Sequence, residues 1–294
     1  MIKYHKPLKV IKNLFNLPSS KLYMNYSNLC KENGILNKYI ILSFDCDTKE
    51  DAEAALKIVK WFNNKNLPSV WAVPGRRLEE SLDTYKKVLS LGGDFINHGY
   101  LDHTSYDIQL ARYYSITWYH EMSFAKVRED IIKAHNLMVN LLNVIPKGFR
   151  APHFGYFQSP KQLEIIYNTI SELNYTFATT TVPKVGLKRG GFFPVNNKIK
   201  EFPVSGTFDK PQVILDSWQF FAAPERKQNE NDFLAQFTKT INFFSKNDLP
   251  GVLNYYVDPS HVVESEIFYS CLLYSLNNGF EFTSYSKIFS LINK

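Results

Sequence analysis

The sequence predicts an α/β fold in which a single (β/α) barrel, distorted or incomplete, forms one domain. Two observations carry this. From about residue 39, short and nearly continuous apolar runs alternate with stretches whose apolar residues recur at helical spacing. That is the grammar of buried parallel strands joined by right-handed helical crossovers. Polar residues able to bind metal or move protons also collect just behind several apolar runs, where barrel sites sit.

Taken in order, residues 39–45 (YIILSFD) read as a strand buried on both faces, and Ala55, Ile58, Val59 and Phe62 mark the helix after it. Residues 69–75 form a second strand closed by Pro-Gly. Leu78, Leu82, Tyr85 and Leu89 mark a second helix ended by Gly92-Gly93, and 94–98 a third strand. Val127, Ile131, Ala134 and Met138 give a helix before the strand and turn at 148–155. Leu163, Ile166, Tyr167 and Ile170 give another before a strand at 175–182. Further strands are expected at 199–204, 211–218 and 251–257, and helices near 231–245 and 262–277. The stretch 183–215 reads as β-rich without a helix, which makes the barrel irregular. No linker or repeat divides the chain, so residues 1–38 are read as an N-terminal extension and 39–294 as the barrel.

With 45% hydrophobic and 21% charged residues over 294 positions, wholesale disorder is excluded. The 34 basic and 28 acidic side chains leave a net charge of +6, too mild and too scattered for a nucleic-acid partner. Cys30, Cys46 and Cys271 form neither a disulfide framework nor a four-cysteine zinc site. The first residues lack the apolar core of a secretory signal, and no run approaches a membrane span. A cytoplasmic protein is expected. Residues 1–15, with Lys3, Lys6, Lys9 and Lys12, could make a peripheral contact with the inner membrane face, although Pro7 interrupts a helix there.

The chemistry concentrates at strand ends. Asp45 and Asp47 close strand one, and carboxylates behind a buried strand are costly unless paired or metal-bound. His98 follows strand three and His103 comes five residues later. Imidazole with carboxylate is a usual ligand set for zinc or a similar divalent ion. Arg150, Asp216 and His261 follow other apolar runs. Taken singly, an aspartate after a strand is more often a helix cap and a lone histidine more often structural; their order along one alternating chain singles them out. His120-Glu121 lacks the second histidine of a zincin motif, and no nucleophile elbow, P-loop or dinucleotide fingerprint is present.

These segments resemble the motifs of the polysaccharide deacetylase family, the fourth carbohydrate esterase family. SFDCD resembles its first motif and VWAVPG the strand after it. INHGYLDH resembles the paired-histidine motif, FRAPHFG the Arg-x-Pro-aromatic motif, and LNYTFA a later helix-to-strand segment. The resemblance spans about residues 39–290.

It implies a TIM-barrel-like metal-dependent hydrolase that removes N-acetyl or O-acetyl groups from a sugar, a glycan, or a lipid- or nucleotide-linked glycan intermediate. Asp45 then matches the general base, Asp47, His98 and His103 the metal ligands, and Arg150 the residue that orients the base. Asp216 matches an acid that pairs with a catalytic group. Zinc is the first expectation for the metal, with cobalt, nickel or manganese as alternatives. His153, Tyr156, Trp71 and Trp218 are placed as substrate contacts, with Tyr100 a further aromatic able to stack on a sugar.

The sequence departs from the family in three places. The histidines stand at i, i+5 instead of i, i+4. His153 replaces the aromatic of the Arg-x-Pro motif. Val257-Asp258-Pro259 stands where Leu-His-Pro is usual, so the general acid is either Asp258 or His261. His261 is preferred, because imidazole holds a proton near neutrality whereas an aspartate starts from about 3.9. A degenerate barrel that only binds carbohydrate, or an amidohydrolase of a small non-sugar amide, are the alternative readings.

Overall fold

The computed structural model describes residues 17–222 and 227–292. Helix α1 (Ser19–Glu32) buries Leu22, Tyr23, Tyr26, Ser27 and Cys30. Its polar atoms are stitched to the barrel: Tyr23 donates to the carbonyls of Gly206 and Thr207, and Ser27 to that of Pro250 at 2.7 Å. Part of the stretch read as an extension therefore belongs to the barrel wall. Its buried stripe holds one aliphatic, Leu22, beside Tyr, Ser and Cys, so it carries little hydrophobic periodicity. Residues 1–16, which include the segment expected against a membrane, lie outside the described residues.

The alternating region follows as expected. β1 (Lys38–Asp45) leads into α2 (Lys49–Asn64), opened by a capping box between Thr48 and Asp51. β2 (Ser69–Val73) is followed by two short helices, α3 (Gly75–Glu80) and α4 (Leu82–Ser90), and then by β3 (Gly93–Asn97). An antiparallel hairpin of β4 (Thr104–Asp107) and β5 (Arg112–Ser115) projects next. It is too polar for an apolar pattern to announce it. α5 (Phe124–Leu142), β6 (Gly148–Arg150), α6 (Pro160–Glu172) and β7 (Phe177–Thr179) resume the alternation.

The stretch 183–215 corrects the sequence reading. Pro183 occupies the first turn of a helix, α7 (Pro183–Arg189), where its missing N–H costs nothing. Only two-residue strands follow, β8 (Phe193–Pro194) and β9 (Lys200–Glu201). The strand expected at 211–218 is a single bridge between Gly206 and Ile214, followed by a π-helical turn at Trp218–Ala222. The chain ends with α8 (Glu230–Lys246), β10 (Gly251–Val257), α9 (Pro259–Val262), α10 (Glu266–Asn277), β11 (Glu281–Thr283) and α11 (Tyr285–Ile292).

One nine-stranded sheet runs β10-β1-β2-β3-β6-β7-β9-β8, with β11 paired to the first half of β1. All pairs in it are parallel except β8 with β9. The two ends meet without a continuous ladder. The Asn254 carbonyl of β10 accepts from Ser205 N–H at 2.7 Å, its N–H donates to Ser205 Oγ at 2.9 Å, and its side-chain amide donates to Phe202, Pro203 and Thr179. Polar bonds from one buried asparagine thus close a distorted (β/α) barrel. The main core lies between the sheet and its helices, where Phe44 stacks on Trp71 at 4.5 Å. Each such fully buried large side chain contributes about 1.5–3 kcal/mol.

Candidate active site and metal centre

The carboxyl ends of the parallel strands surround a cavity of about 300 Å³. β1 delivers Asp45, and strand alternation then turns Cys46 into the core while Asp47 returns to the cavity side. β3 delivers His98, β6 Arg150 and β10 Asp258. The cavity is lined by Asp45, Asp47, His98, His153, Asp216 and Asp258, together with Trp118, Phe154, Tyr156, Trp218 and Tyr256.

Asp47, His98 and His103 each offer a ligand atom, and these atoms lie within 4.8 Å of one another. His103 Nδ1 is 3.1 Å and His98 Nε2 3.6 Å from Asp47 Oδ1. His98 Nδ1 sits 2.8 Å from the carbonyl of Arg150, which assigns it the proton and leaves Nε2 as the lone-pair atom. His103 Nε2 is buried with no hydrogen-bond partner among the described residues. A buried orphan nitrogen beside a carboxylate and a second imidazole fits a divalent ion, and the oxygen–nitrogen donor set suits zinc and its transition-metal neighbours.

The loop absorbs the extra residue between the histidines. Gly99 takes a positive φ of 79°, and its N–H caps Asn97 Oδ1. Buried Asp130 of α5 accepts from Leu101 N–H at 2.9 Å and from Tyr119 at 2.6 Å. Arg77 grips Asp102 with two bonds of 2.7 and 2.9 Å. Fastened at three points, the bulge returns His103 to Asp47 and His98, behind the cavity wall. Burial penalises the charge on both Asp47 and His103, but each stabilises the other. Asp47 is held well below the usual carboxylate range and His103 is raised. Burial and then the neighbouring His103 keep His98 neutral, its pKa well below the usual histidine value.

Asp45 faces a guanidinium. Arg150 Nη1 lies 3.0 and 3.2 Å from its two oxygens, while Nη2 donates to Ser43 and to Tyr285. The rings of Phe154 and Tyr256 lie 5.2 and 5.1 Å from that guanidinium, and Arg150 is 0% exposed. Burial dominates and pushes Asp45 up to about 7, against the downward pull of Arg150. A second cation bound by Asp47 and the histidines would lower it.

The opposite wall holds Asp216, Ser217 and Asp258. Asp216 accepts from Gln219 N–H at 2.8 Å and from Tyr256. Asp258 closes β10, and α9 begins at the next residue, so His261 lies one turn on. His261 approaches Ser217 Oγ and Asp258 Oδ2 through Nδ1, both at 3.1 Å, and stands edge-on to Trp218, but it does not line the cavity. The residue preferred from sequence as the proton donor is therefore behind Asp258, not beside the substrate space.

Trp71 requires a correction as a substrate contact. It is 0% exposed, stacked on Phe44, and its indole N–H bonds Ser69, because its position in β2 points it into the helix layer. Tyr100 also turns away, its ring covered by Lys133 at 3.5 Å. Tyr156, Trp218 and His153 do line the cavity. His153 adopts a positive φ of 51° and bonds the carbonyl of Ile116. Burial and the nearby His103 lower it to about 4. Sequence reasoning missed Trp118, whose ring centroid is 4.2 Å from that of His153, because an aromatic in an irregular loop carries no periodic signal. Phe154, within the motif of Arg150, and Tyr256, two residues before Asp258, were findable beside recognised motifs.

No family model and no curated protein matches the chain. Solved structures do match. A polysaccharide deacetylase candidate from Mycobacterium smegmatis is 14% identical, over 87% of this chain and 91% of that one, with a TM-score of 0.61. A family 4 carbohydrate esterase from Streptomyces lividans in complex with acetate is 11% identical, over 84% and 92%, with a TM-score of 0.52. A pseudoenzyme of the same family from Bacillus anthracis is 10% identical, over 85% and 65%, also at 0.52. The chain has the fold of the polysaccharide deacetylases. Because that fold serves both an esterase and a pseudoenzyme, the side chains in the cavity must carry any assignment of activity.

Proposed function

We propose that the protein is a metal-dependent hydrolase that removes an acetyl group from an acetamido sugar or acetylated glycan. One observation carries the reading: the Asp47–His98–His103 cluster and the Asp45–Arg150 pair adjoin one cavity, into which Asp45, Asp47, His98 and Asp258 open. Asp47, His98 and His103 would hold the metal, for which zinc is the first choice from the donor set. When bound, it supplies a Lewis acid for the acetyl carbonyl and makes a water more acidic.

The chain's own groups do the rest. Asp45 takes the proton of the attacking water, and Arg150, whose Nη1 contacts both carboxylate oxygens, holds it in place and favours its charged form. Trp118, Tyr156 and Trp218 offer ring faces to a sugar along the cavity wall. The lipid- or nucleotide-linked form of the substrate, and action in the cytoplasm, belong to the same proposal. Three free, buried cysteines suit a reducing compartment, and among the described residues no helix is long and apolar enough to cross a membrane.

The test pairs elemental analysis of the purified protein with acetate release from a panel of N-acetyl and O-acetyl sugars. Bound metal in wild type, lost in His98→Ala, with turnover absent from metal-replete Asp45→Asn, is expected. Equal metal in wild type and His98→Ala overturns the centre. Glycan binding with bound metal but no acetate release from any substrate makes the protein a carbohydrate-binding barrel instead.

A further inference from the structure

Asp258 is 2% exposed at the end of β10, and its two oxygens have different surroundings. Oδ2 accepts from Ser217 Oγ at 3.2 Å and lies 3.1 Å from His261 Nδ1. Ser217 Oγ itself accepts the backbone N–H of Asp258 at 2.7 Å, which directs its hydroxyl proton away from that donor. Oδ1 is buried with no hydrogen-bond partner among the described residues. With the proton of His261 on Nδ1, which also lies 3.1 Å from Ser217 Oγ, this asymmetry fits a neutral carboxylic acid with Oδ2 as its carbonyl and the proton on Oδ1.

We propose that Asp258 is the general acid that protonates the leaving amine from Oδ1, and that Ser217 and His261 are positioning residues that hold Oδ2. The assignment rests on the deacetylase reading above. As the C–N bond of the acetyl amide breaks, the Oδ1 proton passes to the departing nitrogen and the bond's electron pair stays on that nitrogen. The carboxylate left on Asp258 is then held by the Ser217 O–H and the His261 Nδ1–H. The proton that Asp45 took from water leaves to solvent, and solvent reprotonates Asp258.

The surroundings favour the neutral form. Besides Tyr256 and His261, Asp258 faces the carboxylates of Asp51 in α2, Asp47 and Asp45 at the end of β1, and Asp216. Burial and then these charges hold its carboxyl well above the usual range. Burial also lowers His261, so that imidazole is a neutral donor rather than the proton source.

The experiment compares an N-acetyl sugar with 4-nitrophenyl acetate, whose leaving group needs no proton. Asp258→Asn is expected to lose about 10²–10³-fold in kcat on the amide and only a few-fold on the ester. Equal losses on both overturn the assignment. His261→Leu should move the basic limb of the amide pH–rate profile to higher pH, because a donor to the carboxylate is gone. His261→Gln, which keeps a donor, should restore it; an unmoved limb in the leucine variant removes His261 from the scheme. Independently of turnover, infrared difference spectra of wild type against Asp258→Asn at pH 7 should contain a protonated-carboxyl band. Its absence refutes the proposal. If wild type hydrolyses neither substrate while the band is present, the deacetylase reading fails and the protonation of Asp258 stands.

Discussion

Replacing Arg150 by Met tests whether the guanidinium holds the charge of Asp45. The substitution keeps a long apolar stem between Phe154 and Tyr256 but removes the two bonds to Asp45 and the donors to Ser43 and Tyr285. In wild type Asp45 sits at about 7, against 3.8 for the free side chain. Its raised folded-state pKa makes stability fall as pH rises from about 4 to 7; above 7 it is ionised in both states and contributes no further slope. Without Arg150 the folded carboxyl moves well above 7. At pH 6, where Asp45 is largely neutral in both proteins, the variant loses the guanidinium's hydrogen bonds without an ion pair, roughly 2–3 kcal/mol. Between pH 7 and 9 its folded state keeps a proton the unfolded state lacks. It should lose up to about 3 kcal/mol more than wild type, at 1.36 kcal/mol per pH unit. Urea unfolding of both proteins at pH 6, 7.5 and 9, with chelator present so that no cation adds to the balance, measures the difference. Parallel stability curves would show that Arg150 does not sustain the charge on Asp45.

Other perturbations follow from the same geometry. Gly99→Ala should lower metal affinity and stability together, because a Cβ there would lie 2.3 Å from Asp130 Oδ2 on a backbone at positive φ; unchanged metal binding in titrations would show the loop tolerates the strain. Glu201→Ala should cost about 3–5 kcal/mol in urea unfolding, since this buried carboxylate accepts five bonds from Thr180, Thr181 and Tyr167. A loss under 1 kcal/mol would contradict that role. Metal binding should release a proton near neutral pH, because Asp47 raises the pKa of His103 and a ligand imidazole must be neutral. Calorimetry in buffers of different ionisation enthalpy reads it, and affinity should weaken as pH falls.

The alternating parallel strands and helices from β1 to β7, the β4–β5 hairpin apart, were legible in the sequence because burial on both faces leaves unbroken apolar runs, and helices leave a 3.6-residue stripe. Asp45, Asp47, His98 and Arg150 were legible for a related reason: each stands at or just behind the end of such a run, so the local pattern alone puts it on the carboxyl edge of the sheet, whereas His103 was legible only by its spacing from His98. Other features depend on contacts distant in sequence. α1 joins the barrel through Tyr23 and Ser27, which bond carbonyls more than 180 residues away. The seam closes on Asn254, an unremarkable polar residue within an apolar strand. Trp71 and Trp118 exchange roles because only packing decides which aromatic faces the helix layer and which faces the cavity. The choice between Asp258 and His261 is of the same kind. Composition favours imidazole as the proton carrier, but Pro259 starts a helix at once, carries His261 behind the wall, and leaves Asp258 among buried carboxylates. Local pattern records which residues lie at strand ends. Which of them share a cavity, and in what state of charge, is set by neighbours that only the closed barrel brings together.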